Sequence, residues 1–374
     1  TAQGNQDGND IGDFYYTPPS GFLALCTSNL PAVAVVPSEH FNTTTYAGTG
    51  SIQSITGVGF QVGLNWIKDR GAVSNHQVND IVRGAGNELQ TDVTTAETNN
   101  NIVTALGTDG FTLSTNGNVN ASGNNYVAWN WKANGSGSAN TTGSINTTAT
   151  SANVDAGFSI VNYTGDGNLG ATVGHGLSKA PEFIVVKKTN AAGTSWVTLS
   201  MYAAASSPEN YYSKLEQTDN FTDHATIQMW GDTAPTASVF SIGVHTWNNG
   251  SGETYIGYCF HSVDGYSKVG SYTGNGNADG TFVYLGFRPA YVMIKNAESS
   301  NKAWYILDST RDFYNPADAY LSAEDSAAEA TYVFYDFLSN GFKLRTTGTA
   351  QNEDTKTIIY LAFAETPFKF SNAR

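Results

Sequence analysis

One irregular pattern is written three times along the chain: a Tyr-x-Gly turn, a Gly-aromatic hinge, an apolar strand ending in Lys, and a later strand rich in aromatics. The first copy has Tyr46-Ala47-Gly48, GFQVGLNWIK from Gly59 to Lys68, TDGFTL from Thr108 to Leu113 and YVAWNWK from Tyr126 to Lys132. The second runs from Tyr163-Thr164-Gly165 through GLSKAPEFIVVK (Gly176 to Lys187) and VFSI (Val239 to Ile242) to YIGYCF (Tyr255 to Phe260). The third has Tyr272-Thr273-Gly274, GFRPAYVMIK (Gly286 to Lys295), SNGFKL (Ser339 to Leu344) and IIYLAF (Ile358 to Phe363). A motif this irregular, recurring in one order, makes the chain an array of three similar β-modules, an architecture suited to extension, display or binding. Asp80 and Arg83 follow Lys68 at nearly the spacing with which Asp308 and Arg311 follow Lys295. The second copy has Leu199-Ser200-Met201 there instead.

At 374 residues the chain suits three domains of roughly 100 residues each. The abundance of aromatics (Tyr 20, Phe 19, Trp 7) and Gly (39), with only 13% charged residues, favours strands and turns over helices. A formal charge of -14 repels phosphate backbones and argues against a nucleic-acid partner. No apolar run approaches the roughly 20 residues a spanning helix needs, so insertion into a membrane is not expected. Cys26 and Cys259 lie in apolar runs without metal-ligand spacing, which predicts two buried free thiols.

Expected boundaries follow composition. Residues 1–42, with the aromatic segment DFYYTPPSGFLALCTSNLP, suggest the end of a preceding β domain plus connector, and the chain looks cut from something longer. Module one occupies 43–133. Residues 134–155, rich in Gly, Ser, Asn and Thr, suggest a flexible or extended linker. Modules two (156–264) and three (265–374) have no comparable linker and should pack closely. The pattern predicts an all-β fold of tandem antiparallel sandwiches, jelly-roll or concanavalin-like, with Tyr291-Val292-Met293-Ile294 as an inner strand. The best helix signal is the Ala- and Glu-rich stretch from Leu321 to Tyr332.

No catalytic residues are expected. The six histidines share no repeat position, and neither a Gly-x-Ser-x-Gly elbow nor a His-Glu-x-x-His helix occurs. A glycosidase needs two placed carboxyls, but Glu182, Asp308 and Asp336 have no distinguishing context. No cofactor is expected, the one weak metal reading being Ca²⁺ on Asp166, Asn168, Asn275 and Asp279 in the turns TGDGNLG and TGNGNADG. The simpler meaning of these turns is a tight hairpin. Each Asp/Arg pair is expected to be a structural ion pair pinning a loop. Trp196 and Trp304 share a repeat position and should be core. Trp230 and Trp247 lie where module two matches the others least, making them the weak candidates for a ligand-binding surface.

The segments YTGDG, GFRPAYVMIK, TDGFTL and YVAWNWKANGSG resemble the repeated β-rich modules of structural proteins of tailed bacteriophages, particularly marine ones. DIGDFYYTPPSGFLALCTSNLP resembles the closing segment of SPRY-type, concanavalin-like domains that precede such modules. The resemblance spans nearly the whole chain. It implies a non-enzymatic protein of the virion surface or extracellular space, a tail fibre, head fibre or decoration protein in contact with other virion proteins. Self-association is expected as the way to cover edge strands, and the aromatic, low-charge, Gly/Asn-rich loops suggest host-surface glycans as a further partner. Module one departs from the pattern with Val62 where the others have Pro181 and Pro289. The alternatives are a phage polysaccharide depolymerase and a bacterial extracellular adhesin or filament subunit.

Overall fold

The computed structural model describes residues 3–24, 26, 29, 35–223 and 226–365. The fold is all-β, built from several antiparallel sheets, and the α-helices among the described residues are two of only four residues, Gly117–Asn120 and Thr349–Asn352. In module one the main sheet runs, in spatial order, Phe41–Ala47, Asn125–Trp131, Leu64–Asp69, Gln77–Asp80, Asn87–Leu89 and Thr98–Asn99. A smaller sheet of Gln53–Thr56, Gly110–Leu113 and Val103–Gly107 covers one of its faces. Module two repeats the plan, with Phe183–Lys188 and Thr254–Phe260 central in the main sheet and Ala171–Gly174 paired to Val239–Ile242 in the small one. In module three both layers belong to a single eight-stranded sheet, from Ser267–Thr273 at one edge to Phe282–Tyr284 at the other.

Why the Lys-ended strands are apolar on both faces is now evident. Successive strand residues point to opposite faces. Ile67, Ile184 with Val186, and Val292 with Ile294 enter the private core of their own sandwich. Leu64 with Trp66, Phe183 with Val185, and Tyr291 with Met293 enter one core shared by all three modules. The central aromatic strands behave alike, so Tyr126–Trp131 is buried on both faces too. Module three thus bears out Tyr291–Ile294 as an inner strand. The three sandwiches are not separate beads, because each turns the outer face of its main sheet onto the common core. That core leaves a cavity of ≈ 40 Å³ whose lining includes Trp66, Trp131, Phe183, Tyr258, Tyr291 and Leu361.

The modules meet head to tail in a closed ring. The backbone N–H of Glu97 donates to Thr189 O at 2.8 Å, that of Phe221 to Ala297 O at 2.9 Å, and that of Glu329 to Arg70 O at 2.9 Å. A second set runs the other way round. Trp196 Nε1 donates to Gln90 O (2.8 Å), Trp304 Nε1 to Lys214 O (3.0 Å), and the His76 ring Nε2 bonds Ser322 O (2.9 Å). His76 therefore stands where the other copies carry Trp, and its Nδ1 accepts from Trp66 Nε1 at 2.9 Å. Trp66 is large where Val185 and Met293 are smaller, so module one exchanges bulk between the two positions.

Four expectations are corrected. Within the expected linker, Thr147–Asn153 is a strand paired to Phe158–Thr164, and Ile145 bridges Val173 in the small sheet. Bulk was the wrong criterion: β-branched Thr suits a strand, and Ile145 supplies the anchor. Leu321 to Tyr332 is not helical. Ala317–Ser322 and Ala330–Leu338 are strands, and the intervening residues are tied into the ring, with Ala323 N bonding Trp304 O at 2.9 Å. Tertiary pairing overrides helix propensity there. Among the described residues, the aromatic segment near Phe14, expected to be a strand, makes only an isolated bridge to Asn5. It folds around Asp7, whose carboxylate accepts from the backbone of Asn9, Ile11 and Ala24. Cys26 is consequently exposed, whereas Cys259 is buried as expected.

Candidate functional site

The Asp/Arg pairs lie at the seams of the ring. Asp308 Oδ2 accepts from Arg311 Nε at 2.6 Å and from module one's Trp129 Nε1 at 3.0 Å, while Oδ1 takes the backbone N–H of Thr310 and Arg311. Arg311 continues to Glu329 (2.9 Å) and Ile306 O (3.0 Å) with its guanidinium over the Trp129 ring. The next seam repeats the arrangement. Asp80 Oδ2 accepts from Arg83 Nε (2.6 Å) and from module two's Tyr258 OH (2.7 Å), and Arg83 reaches Glu97 at 2.9 Å. Burial, reinforced by the Asp80 carboxylate, holds the Tyr258 phenol well above its ordinary value, so it stays a donor. These are the structural ion pairs the spacing suggested. At the third seam the four corresponding positions are Ser200, Ala203, Phe221 and Leu361, and all four have lost the ionic chemistry together.

A second repeated feature was missed in the sequence. Lys68, Lys187 and Lys295 end the rows facing the shared core and are fully buried. Burial pulls each ammonium down to about 8. Nearby carboxyls accept from the backbone N–H at the His76/Trp position: Asp92 from His76 (3.1 Å), Glu216 from Trp196 (3.0 Å) and Glu324 from Trp304 (2.9 Å). Burial lifts Asp92 to about 6 and Glu324 to about 7, and Glu216 moves in the same direction. A depressed lysine beside a raised acid is the make-up of a nucleophilic site. Here each ammonium is sealed, donating to backbone carbonyls such as Asp69 O (2.8 Å), Thr194 O and Lys302 O. A substrate has no approach to them. The signal available in the sequence was the Lys at the end of each apolar strand, but its acid lies 24 residues further on in the first copy and 29 in the other two, too far for a local motif to show.

The turns considered for Ca²⁺ are closed by a buried Asn. Asn120, Asn249 and Asn352 each accept through Oδ1 from a turn N–H (Thr49, Asp166 and Asn275, all 2.9 Å). Their Nδ2 atoms donate to carbonyls on both sides, for example Asn352 to Asn277 O and Thr346 O at 2.8 Å. The Tyr-x-Gly glycine is required by the close approach, since a Cβ at Gly48 would stand 2.1 Å from Ala121 O and one at Gly274 2.2 Å from Glu353 O. Of the four proposed ligands, Asp166, Asn275 and Asp279 have their side-chain oxygens engaged. Asp166 Oδ1 takes Asn168 N (2.8 Å), Asn275 Oδ1 takes Asn277 N (3.1 Å), and Asp279 pairs with Lys343 (2.7 Å). Among the described residues no three His, Cys, Asp or Glu side chains are grouped to hold a metal ion. No helix among them is long and apolar enough to cross a membrane.

Trp230 is a core residue, 1% exposed, and its candidacy as a ligand contact is corrected. Trp247 is half-buried, packed on His245 with Lys214 over its ring. Trp196 and Trp304 are core, as the shared position implied. Of the histidines, His224 lies outside the described residues. Glu182, Asp308 and Asp336 are kept apart by their partners: Glu182 accepts from Tyr202 OH and Ser262 N, Asp308 from Arg311, and Asp336 pairs with Arg345. Among the described residues, exposed Phe and Tyr side chains occur only in the N-terminal segment and in module three. The sequence could not separate these from the buried aromatics of the same strands.

A single family model covers residues 36–367, all three modules together, and describes a domain of unknown function, DUF7483. The chain belongs to the DUF7483 family. The extent of the DUF7483 match accords with one ring around one core, and residues 1–35 fall outside it. No curated protein and no solved structure matches the chain.

Proposed function

We propose that the chain is a non-enzymatic surface component of a bacteriophage particle, a fibre or decoration element, whose ring is scaffold and whose outer surface contacts other copies, other particle proteins and host-surface glycans. The carrying observation is a division of labour. The groups with chemical potential, the Lys/carboxyl sites and Asp/Arg seams, are buried and bonded within the ring, while among the described residues the exposed Phe and Tyr side chains of the ring all belong to module three. Exposed apolar groups in a cluster mark interaction surfaces. The resemblance of the repeat to modules of tailed-phage structural proteins supplies the particle. Mass spectrometry of purified particles of the phage that encodes the chain tests the reading. Stoichiometric recovery with the particle is expected, and absence from it overturns the proposal. Adsorption of the isolated assembly to host cells tests the adhesive part.

A further inference from the structure

The small sheets of the three modules have equivalent positions, accessible in modules one and three and mostly covered in module two, which allows a comparison residue by residue. Register pairs Ser54 with Thr112 in module one, Thr172 with Ser241 in module two, and Phe282 with Lys343 in module three. Two residues further along the first strand, the positions read Thr56, Gly174 and Tyr284. Two further along the second they read Ser114, Gly243 and Arg345. A fifth position, on the adjoining strand of the main sheet, reads Asn42, Ser159 and Lys268. Modules one and two therefore carry only small or neutral polar residues at all five. Module three carries two aromatics and three cations, in a chain whose 32 acids outnumber 18 bases.

The side chains form one face. Phe282 and Tyr284 are 43% and 60% exposed and, two residues apart, stand on the same side of the strand. Lys268 Nζ lies 5.5 Å from the Tyr284 ring centroid and donates to Tyr284 O at 3.0 Å. Lys343 is paired with Asp279 (2.7 Å) and Arg345 with Asp336 (3.3 Å). Among the described residues Lys268 has no carboxylate partner. In module two the same edge is covered by the chain itself, with Ile145 N donating to Thr172 O at 3.0 Å. The connector before module three instead closes on its own first strand through the Val263 and Ser267 bridge.

We infer that this face of module three is a binding site for an acidic polysaccharide, with sugar rings lying on Phe282 and Tyr284 and a carboxylate or sulfate meeting Lys268. The inference deepens the adhesive part of the proposed function and rests on it. Exposed ring faces offer a flat apolar platform, while the ion pairs beside it offer both donors and acceptors to hydroxyls. A surplus cation in an otherwise anionic molecule selects for negative charge.

The test uses the full chain, with polygalacturonate and dextran sulfate as acidic probes and dextran as the neutral one. Either acidic probe is expected to bind more tightly than dextran, in a salt-sensitive manner. The double variant Phe282→Ser, Tyr284→Thr takes the residues that module one already carries, so the fold should hold, as its thermal midpoint will report. It is expected to weaken binding roughly tenfold or more. Lys268→Asn should abolish the preference over dextran. Binding of neither acidic probe, or unchanged binding by the folded double variant, overturns the inference. Loss of a self-association that the wild type shows, without any glycan binding, overturns it as well and reassigns the face to a second copy. Presence of the chain in particles with a mute face would defeat this inference alone, whereas a binding face on a chain absent from particles would defeat the parent reading alone.

Discussion

The seam between modules three and one and the seam between two and three solve the same problem with opposite chemistry. At the first, a buried carboxylate gathers its own arginine, a neighbour's indole and two backbone N–H groups. At the other, Ala203, Phe221 and Leu361 belong to the shared apolar core, and the buried Ser200 hydroxyl accepts from the backbone N–H of Tyr202 at 3.3 Å. A buried ion pair gains little over a well-packed apolar contact, but a half-removed one is costly because a charge is left unpaired. That asymmetry explains why the third seam lacks all of the ionic members and not merely some.

The comparison can be broken most forcefully by Asp308→Ala, which leaves Trp129 Nε1 and Arg311 Nε without their buried acceptor while Arg311 keeps Glu329. It should cost about 3–5 kcal/mol in denaturant unfolding, and a loss below about 1 kcal/mol would remove the ionic seam as a structural element. Tyr258→Phe deletes one donor to Asp80 and leaves Arg83 in place. A loss of about 2 kcal/mol is expected from the same measurement.

A pH series sharpens the contrast. Burial, with Lys68 adding to it, holds His76 down to about 3. Below about pH 6.5 the unfolded chain therefore takes a proton that the fold refuses, and stability falls as pH drops. Asp92, lifted by burial to about 6, acts oppositely: between about pH 6 and 4 the fold holds the proton more firmly than the unfolded chain does. Asp92→Asn keeps the acceptor for His76 N and removes this offset. Its stability relative to wild type should fall by about 1–2 kcal/mol between pH 6 and 4, as midpoints across the range will report, and a flat difference would refute the opposition. Smallest of all, Ser200→Ala at the apolar seam should change stability by less than about 0.5 kcal/mol. A larger loss would mean that this seam too relies on a polar contact.

Residues alone gave the strand content, the three copies, the core role of Trp196 and Trp304 and the pairing of Asp80 with Arg83. Each rests on local periodicity or short spacing. What they withheld depends on long-range register. Nothing local distinguishes Trp230, buried in the core of module two, from an exposed tryptophan, nor shows that Tyr284 faces outward while Tyr291 faces the common core. The equivalence of His76 with two tryptophans is hidden because His and Trp share only an N–H donor on an aromatic ring. The buried Asn that closes each turn lies about 70 to 85 residues from the backbone it clamps, and in sequence it is one more Asn in an Asn-rich chain.

A closed ring has a fixed membership. In a solenoid the last repeat leaves a face on which another can stack, but here the donor side of each unit is already matched with the acceptor side of the next. A fourth copy spliced into the gene would find no vacancy, and deletion of one would bare two aromatic walls at once. Divergence of this body must therefore proceed by varying its rim, one copy at a time, while the hub keeps its count of three.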